Sequence, residues 1–169
     1  MTKYFKYLHY VLKHKYYVFI ECCKLGIPLL GIIHDWSKLR PSEFFPYANH
    51  FFGPGSNGMQ TGRDKSGCYD PWNLEDIKFK FALFLHLKRN KHHWQWWILS
   101  STNEEKLMEM PDKYFKEMLA DWKAAARRSP DKSLEDTLDY AFKKYGIGEQ
   151  LGNMIRNTLK DLKWIKETK

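Results

Sequence analysis

The sequence lacks an apolar run long enough to cross a bilayer. A spanning helix needs about 20 apolar residues. The longest run here, LGIPLLGII from Leu25 to Ile33, is shorter and holds two glycines and a proline. The amino-terminal stretch MTKYFKYLHYVLKHKYYVF is basic but too polar for a signal peptide. These features lead us to expect a soluble, cytoplasmic protein with no membrane partner. Cysteine is scarce: Cys22, Cys23 and Cys68, an odd number with no CxxC spacing. That argues against a Cys-type zinc site and for a reducing compartment, with Cys22 and Cys23 as reduced core residues. Strict apolar–polar alternation is missing, so nothing demands a sheet. There is no internal repeat and no helix-turn-helix spacing.

What is present is a core and charge. Hydrophobic residues make up 43% of the 169, and aromatics 17%. That suffices for one compact domain over 1–169, rich in rings. The net charge of +8 suits an anionic partner, namely a nucleotide, a nucleic acid or an acidic surface. The lysines are scattered, so most read as solvated helix faces.

The periodicity is helical almost throughout. Apolar residues at 3–4 spacing predict a long helix over 3–25, stopped by Gly26. Pro28 opens a second helix running to about Lys38, and Pro41 a third, PSEFFPYANHFF. Residues 53–72 hold five glycines and two prolines and read as a long loop, which in a small domain is usually functional or mobile. Asn73 is the expected N-cap of a helix from 74 to about 90, which KHHWQWWILS continues or restarts. Pro111 opens PDKYFKEMLADWKAAARR, Ser133 opens LEDTLDYAFKKY, which Gly146 ends, and a last helix runs from about 148 to 166. The expected fold is all-α, six or seven helices in one domain.

Within this scaffold the histidines and two aspartates stand out. On a helical wheel His14 shares a face with Val11, Val18 and Leu25, whereas His9 falls opposite with Leu12, Tyr16 and Phe19. A lone histidine on such a face is more often a satisfied core residue. His34 and Asp35 follow the apolar run, which reads as a buried, rigid base. Adjacent residues on a helix point about 100° apart, so the two turn toward one ion more easily from a helix end. An imidazole and a carboxylate suit Zn, Mn or Fe; alone, the pair is as well explained by a helix boundary. HLKRNKHHW places His86, His92 and His93 within eight residues. The alternative is an exposed basic turn, which the neighbouring tryptophans of WQWWIL, needing burial, argue against. Asp121 sits among Leu119, Ala120, Trp122 and Ala124 and either needs a partner or faces solvent with Glu117 and Lys123.

The order His14, His34-Asp35, His86, His92 or His93, Asp121 resembles that of the HD-domain superfamily of metal-dependent phosphohydrolases, H…HD…H…H…D in its two-metal branch. The stretch HKYYVFIECCKLGIPLLGIIHDWSK is similar to that family's first two motifs. The chain resembles still more a family of small phage and bacterial proteins catalogued as a domain of unknown function. Its pattern, HDxSKxxxxEF, then HH, then DW, reads here as His34, Asp35, Ser37, Lys38, Glu43, Phe44, His92, His93, Asp121 and Trp122.

The superfamily resemblance implies an HD-like helical domain holding one or two divalent ions (Mn, Fe, Zn or Mg). His14, His34, Asp35 and Asp121 would bind one. Asp35 would bridge to a second, held by His86 and one of His92 and His93, with His92 preferred. Such a site activates a water for attack on phosphorus. Lys38, Arg40 and Arg89 are candidates to bind phosphate, each otherwise a surface charge. Glu43 orients the water or supports a histidine, or is a first-turn carboxylate after Pro41. Tyr69, Trp72 and loop 53–67 could close over a base. Asp35, Lys38 and Glu43 are thus the catalytic candidates of a phosphohydrolase acting on a nucleotide or related phosphoester. The same ligand order can hold two irons in an oxygenase. A third expectation is a non-catalytic basic protein that binds a nucleotide or nucleic acid.

Overall fold

A computed structural model describes residues 2–58, 61, 75–102, 105–127 and 149–164. The described residues form six α-helices: α1 (Lys3–Lys24), α2 (Pro28–Ile33), α3 (Pro41–Phe52), α4 (Ile77–Arg89), α5 (Asp112–Ala126) and α6 (Glu149–Asp161). Two 3-10 turns, Trp36–Leu39 and Trp94–Trp97, lie after α2 and α4. The fold is all-α, as its periodicity predicts. One small addition is an antiparallel hairpin, β1 (Ile98–Ser100) with β2 (Glu105–Leu107), pairing Ile98 with Leu107 and Ser100 with Glu105. Three-residue strands are too short to leave an alternating signature. Of the loop expected over 53–72, residues 59–60 and 62–72, with Cys68, Tyr69 and Trp72, lie outside the described residues, as do Asn73 and the helix expected after Ser133.

The chain divides into two compact units, residues 1–121 and 122–169. In the first, α1 packs on α2 and α3, and α3 packs on α4. The core joins Tyr7 and Val11 of α1, Tyr47, Ala48 and Phe51 of α3, and Phe79 and Ala82 of α4. Its rings meet edge to face, Tyr47 on Phe79 at 4.9 Å and Phe51 on Phe79 at 5.2 Å between centroids, a favoured aromatic geometry. In the second unit, Ile155 and Leu159, four residues apart on α6, are buried, and Lys123 Nζ lies 4.5 Å from the centre of the Trp164 ring.

Several expectations change. The helix after Pro28 stops at Ile33 instead of Lys38, because His34 (φ −49°, ψ 130°) and Asp35 (φ 52°, ψ 28°) leave the helical region. The run Leu25–Ile33 is not a buried base: Leu29, Ile32 and Ile33 are exposed, while Leu25 and Gly31 are buried. A six-residue helix has one face to give, and α2 gives the face with Gly31. A Cβ there would stand 2.8 Å from Cys22 Cβ and 2.9 Å from Phe19 Cα, so the lack of a side chain permits the close approach to α1. Cys22 is buried but its neighbour Cys23 is exposed, the 100° step between them separating their environments. Burial drives the Cys22 thiol pKa up to about 12. Helix α4 starts at Ile77, capped by Asp76, whose carboxylate accepts the Phe79 N–H. The Trp94–Trp97 turn is half-buried, with no fully buried tryptophan.

Candidate metal centre

Four segments of the first unit deliver the site. α1 carries His14, three to four residues from buried Val11 and Val18 and thus on the core face. The break after α2 carries His34 and Asp35. Asp35 sits in the left-handed region, which short polar side chains tolerate better than others. Lys15 stabilises this break, donating from Nζ to the carbonyls of His34 and Ile32 at the end of α2, while its ammonium lies 5.2 Å from the centre of the Trp36 ring. A cation there complements the helix carboxyl terminus. α4 carries His86 on the face of buried Phe79 and Ala82, and the turn beyond it carries His92 and His93. α5 carries Glu117 and Asp121, one turn apart.

These side chains converge. His14 Nε2 is 2.9 Å from Asp121 Oδ1, and His34 Nε2 is 3.7 Å from the same oxygen and 3.4 Å from Asp35 Oδ2. Asp35 Oδ1 is 3.5 Å from His86 Nε2 and 3.4 Å from His92 Nε2. His93 Nε2 is 2.9 Å from His86 Nε2. Three sets have donor atoms grouped closely enough for one ion: His14, His34 and Asp35; His34, His92 and Asp121; and Asp35, His86 and His93. All seven residues singled out as metal candidates therefore meet in one place. His34, Asp35 and His92 are almost wholly buried, and His34 Nε2, Asp35 Oδ1 and His92 Nε2 have no hydrogen-bond partner. An unmet buried polar atom costs about 1–3 kcal/mol; each of the three belongs to at least one of these sets, so cations held there would satisfy them. The donor set fits a divalent transition ion.

A second layer of carboxylates orients the rings. Glu117 Oε1 accepts from His34 Nδ1 at 2.9 Å and lies 3.2 Å from His92 Nδ1. A carboxylate only accepts, so in the neutral rings both Nε2 atoms keep a lone pair for the centre. Glu43, fully buried at the start of α3, does the same for His86 Nδ1 at 3.2 Å. It is fixed by Ser37 Oγ at 2.8 Å and by Arg89 at 2.7 Å. Asn90 Nδ2 donates to Ser37 Oγ and to the carbonyl of His86. Glu117, placed in one of the two readings of Asp121 on a solvent face, is buried at the site; its spacing of four from Asp121 was the available signal. Ser37 stood in the HDxSK pattern without a role, and Asn90 and Lys15 carried no signal of their own.

Electrostatics favour ionised carboxylates and, at His14, His86 and His93, neutral rings. Burial raises the carboxyl pKa of Asp35, but His34, Lys38 and His86 outweigh it and hold Asp35 well below the usual range. Asp121 is likewise held well below it by His14 and His34 against burial. Burial lowers His14 to about 4 and also lowers His86 and His93. His34 moves the other way: burial opposes its charge, but Asp35, Asp121 and Glu117 raise its pKa well above the ordinary value. Of the phosphate candidates, Lys38 Nζ pairs with Asp35 Oδ2 at 2.7 Å, Arg89 holds Glu43 and Ser42, and Arg40 is exposed.

Fold and site together define an all-α protein with a buried His–Asp cluster that could hold a metal. The chain belongs to the family described as "Family of unknown function (DUF5662)", which matches residues 3–162. No curated protein and no solved structure matches it. Among the described residues, no helix is long and apolar enough to cross a membrane.

Proposed function

We propose that the chain is a metal-dependent phosphohydrolase of HD-domain type, acting on a nucleotide or related phosphoester. The observation that carries this reading is the meeting of His14, His34, Asp35, His86, His92, His93 and Asp121, with three buried donor atoms left without hydrogen bonds. Divalent ions bound there would supply an activated water and neutralise charge on phosphoryl oxygens. The two oxygens of Asp35 face different donors, Oδ2 toward His34 and Lys38 and Oδ1 toward His86 and His92, so this one carboxylate can serve two ions. Lys38, paired with Asp35 at 2.7 Å, would share its charge with an incoming phosphate, and exposed Arg40 would receive one. Arg89 acts instead through Glu43, fixing the His86 ring. The net charge of +8 draws anionic substrates toward the protein.

A second reading, a di-iron oxygenase, draws on the same cluster, because an imidazole-rich donor set also suits iron. Phosphate release from a panel of nucleotides and a generic phosphodiester, with Mn²⁺ or Mg²⁺, tests the first reading. Turnover by the wild type, absent in Asp35→Asn, supports it. Bound iron with an oxygen-dependent spectral change and no phosphate release would favour the second. Tight nucleotide binding without turnover, unaffected by Asp35→Asn, would favour a non-catalytic binding protein.

A further inference from the structure

His92 and His93 are neighbours, and the ligand order leaves room for only one of them. The geometry uses both. The His92 ring lies 4.4 Å from that of His34, and the two share Glu117 Oε1 through their Nδ1 atoms. The His93 ring lies 4.7 Å from that of His86, with their Nε2 atoms 2.9 Å apart. Two imidazole nitrogens that close either share one proton or turn both lone pairs on one cation. The backbone permits the division: His93 is extended (φ −83°, ψ 125°), and successive side chains on extended backbone point apart. The turn is also anchored, the Trp97 indole N–H donating to the Lys91 carbonyl at 2.7 Å.

We propose that His92 and His93 serve two different ions, His92 joining His34 and Asp121, and His93 joining His86, with Asp35, 3.4 Å from His92 and 3.5 Å from His86, shared between the two sets. This rests on the metal-centre reading above and deepens it. With His14, the centre then offers five imidazoles and two carboxylates. That set favours Mn, Fe, Co or Zn over Mg, which prefers oxygen ligands and keeps its waters.

Zinc content, measured by elemental analysis after chelator stripping, reloading with Zn²⁺ and desalting, tests the division. Wild type should carry two ions per chain, and His92→Gln and His93→Gln one each. The double variant His92→Gln/His93→Gln should carry none, whereas His86→Gln/His93→Gln should still carry one, since those two residues serve the same ion. One ion retained by the 92/93 double variant, or two by either single variant, overturns the division while leaving the metal centre standing. A wild type that carries a single ion overturns the division, and one that takes up no Zn²⁺ overturns both. Circular dichroism reports whether each variant is folded. Anomalous scattering from Zn²⁺-loaded wild-type crystals gives a reading free of variants: two peaks, one at each histidine, are expected, and a peak at only one of them refutes the division.

Discussion

Asp35 combines a strained backbone with a side chain that meets His34, Lys38, His86 and His92. Its φ of 52° costs an ordinary L-residue about 1–2 kcal/mol, and Asn tolerates it where Ala does not. Asp35→Asn should therefore fold with near-wild-type stability in its backbone and still lose metal. Asp35→Ala should lose metal and melt lower by a further ~1 kcal/mol or more. Metal analysis beside chemical denaturation of the two variants measures both; equal stability would show that the strain does not matter. Glu117 makes a second prediction at this scale. Glu117→Gln keeps the shape and removes the charge behind His34 and His92, so affinity for Zn²⁺ should fall about 10–100-fold by isothermal titration. An unchanged affinity would show that the two rings are held by packing alone.

Among the elements, α1 and α2 set the site's geometry through one close contact. Gly31 lies against Cys22 and Phe19, with space for no further carbon. Gly31→Ala must push α2 away from α1 and move the break that carries His34 and Asp35. The expected cost is about 1–3 kcal/mol of stability, as for overpacking elsewhere, together with weaker metal binding. Urea denaturation and Zn²⁺ titration read the two effects. A stable variant with wild-type affinity would mean that α2 can shift without disturbing the ligands. The element pattern itself was largely legible beforehand. α1 ends at Lys24 where Gly26 (φ 74°) follows, and α3 begins at Pro41. The early stop of α2 was only partly legible: a helix boundary was one reading of His34-Asp35, but Trp36, Ser37 and Lys38 also fit a continuing helix and instead form a separate 3-10 turn.

At the scale of the whole molecule, the site gathers side chains from α1, the α2 break, α4 with its turn, and α5. Binding an ion therefore ties distant segments together, and unfolding must release it. At a free Zn²⁺ concentration about 100 times its Kd, the linked stabilisation is about 2.7 kcal/mol, which for a chain of this size raises Tm by about 5–10 °C. Differential scanning calorimetry with added Zn²⁺ and with chelator should show that difference; coincident melting curves would argue against a metal centre of this kind.

The sequence by itself determined the all-α class, most of the helices that are described, and the seven residues that meet at the centre. Those follow from local rules: a period of 3.6, caps, and the chemistry of His and Asp. Only the tertiary structure decided how they are used. Whether Glu117 faces solvent stayed open because its partner His34 is 83 residues away on another element. Arg89 looked like a surface charge or phosphate ligand until packing placed it on Glu43. The apolar run before His34 looked buried, yet most of it faces outward, since burial depends on which face of α2 its neighbour α1 covers. Composition and spacing fix which groups a chain can offer; which of them meet, and in what pairs, is set by long-range packing that no local pattern encodes.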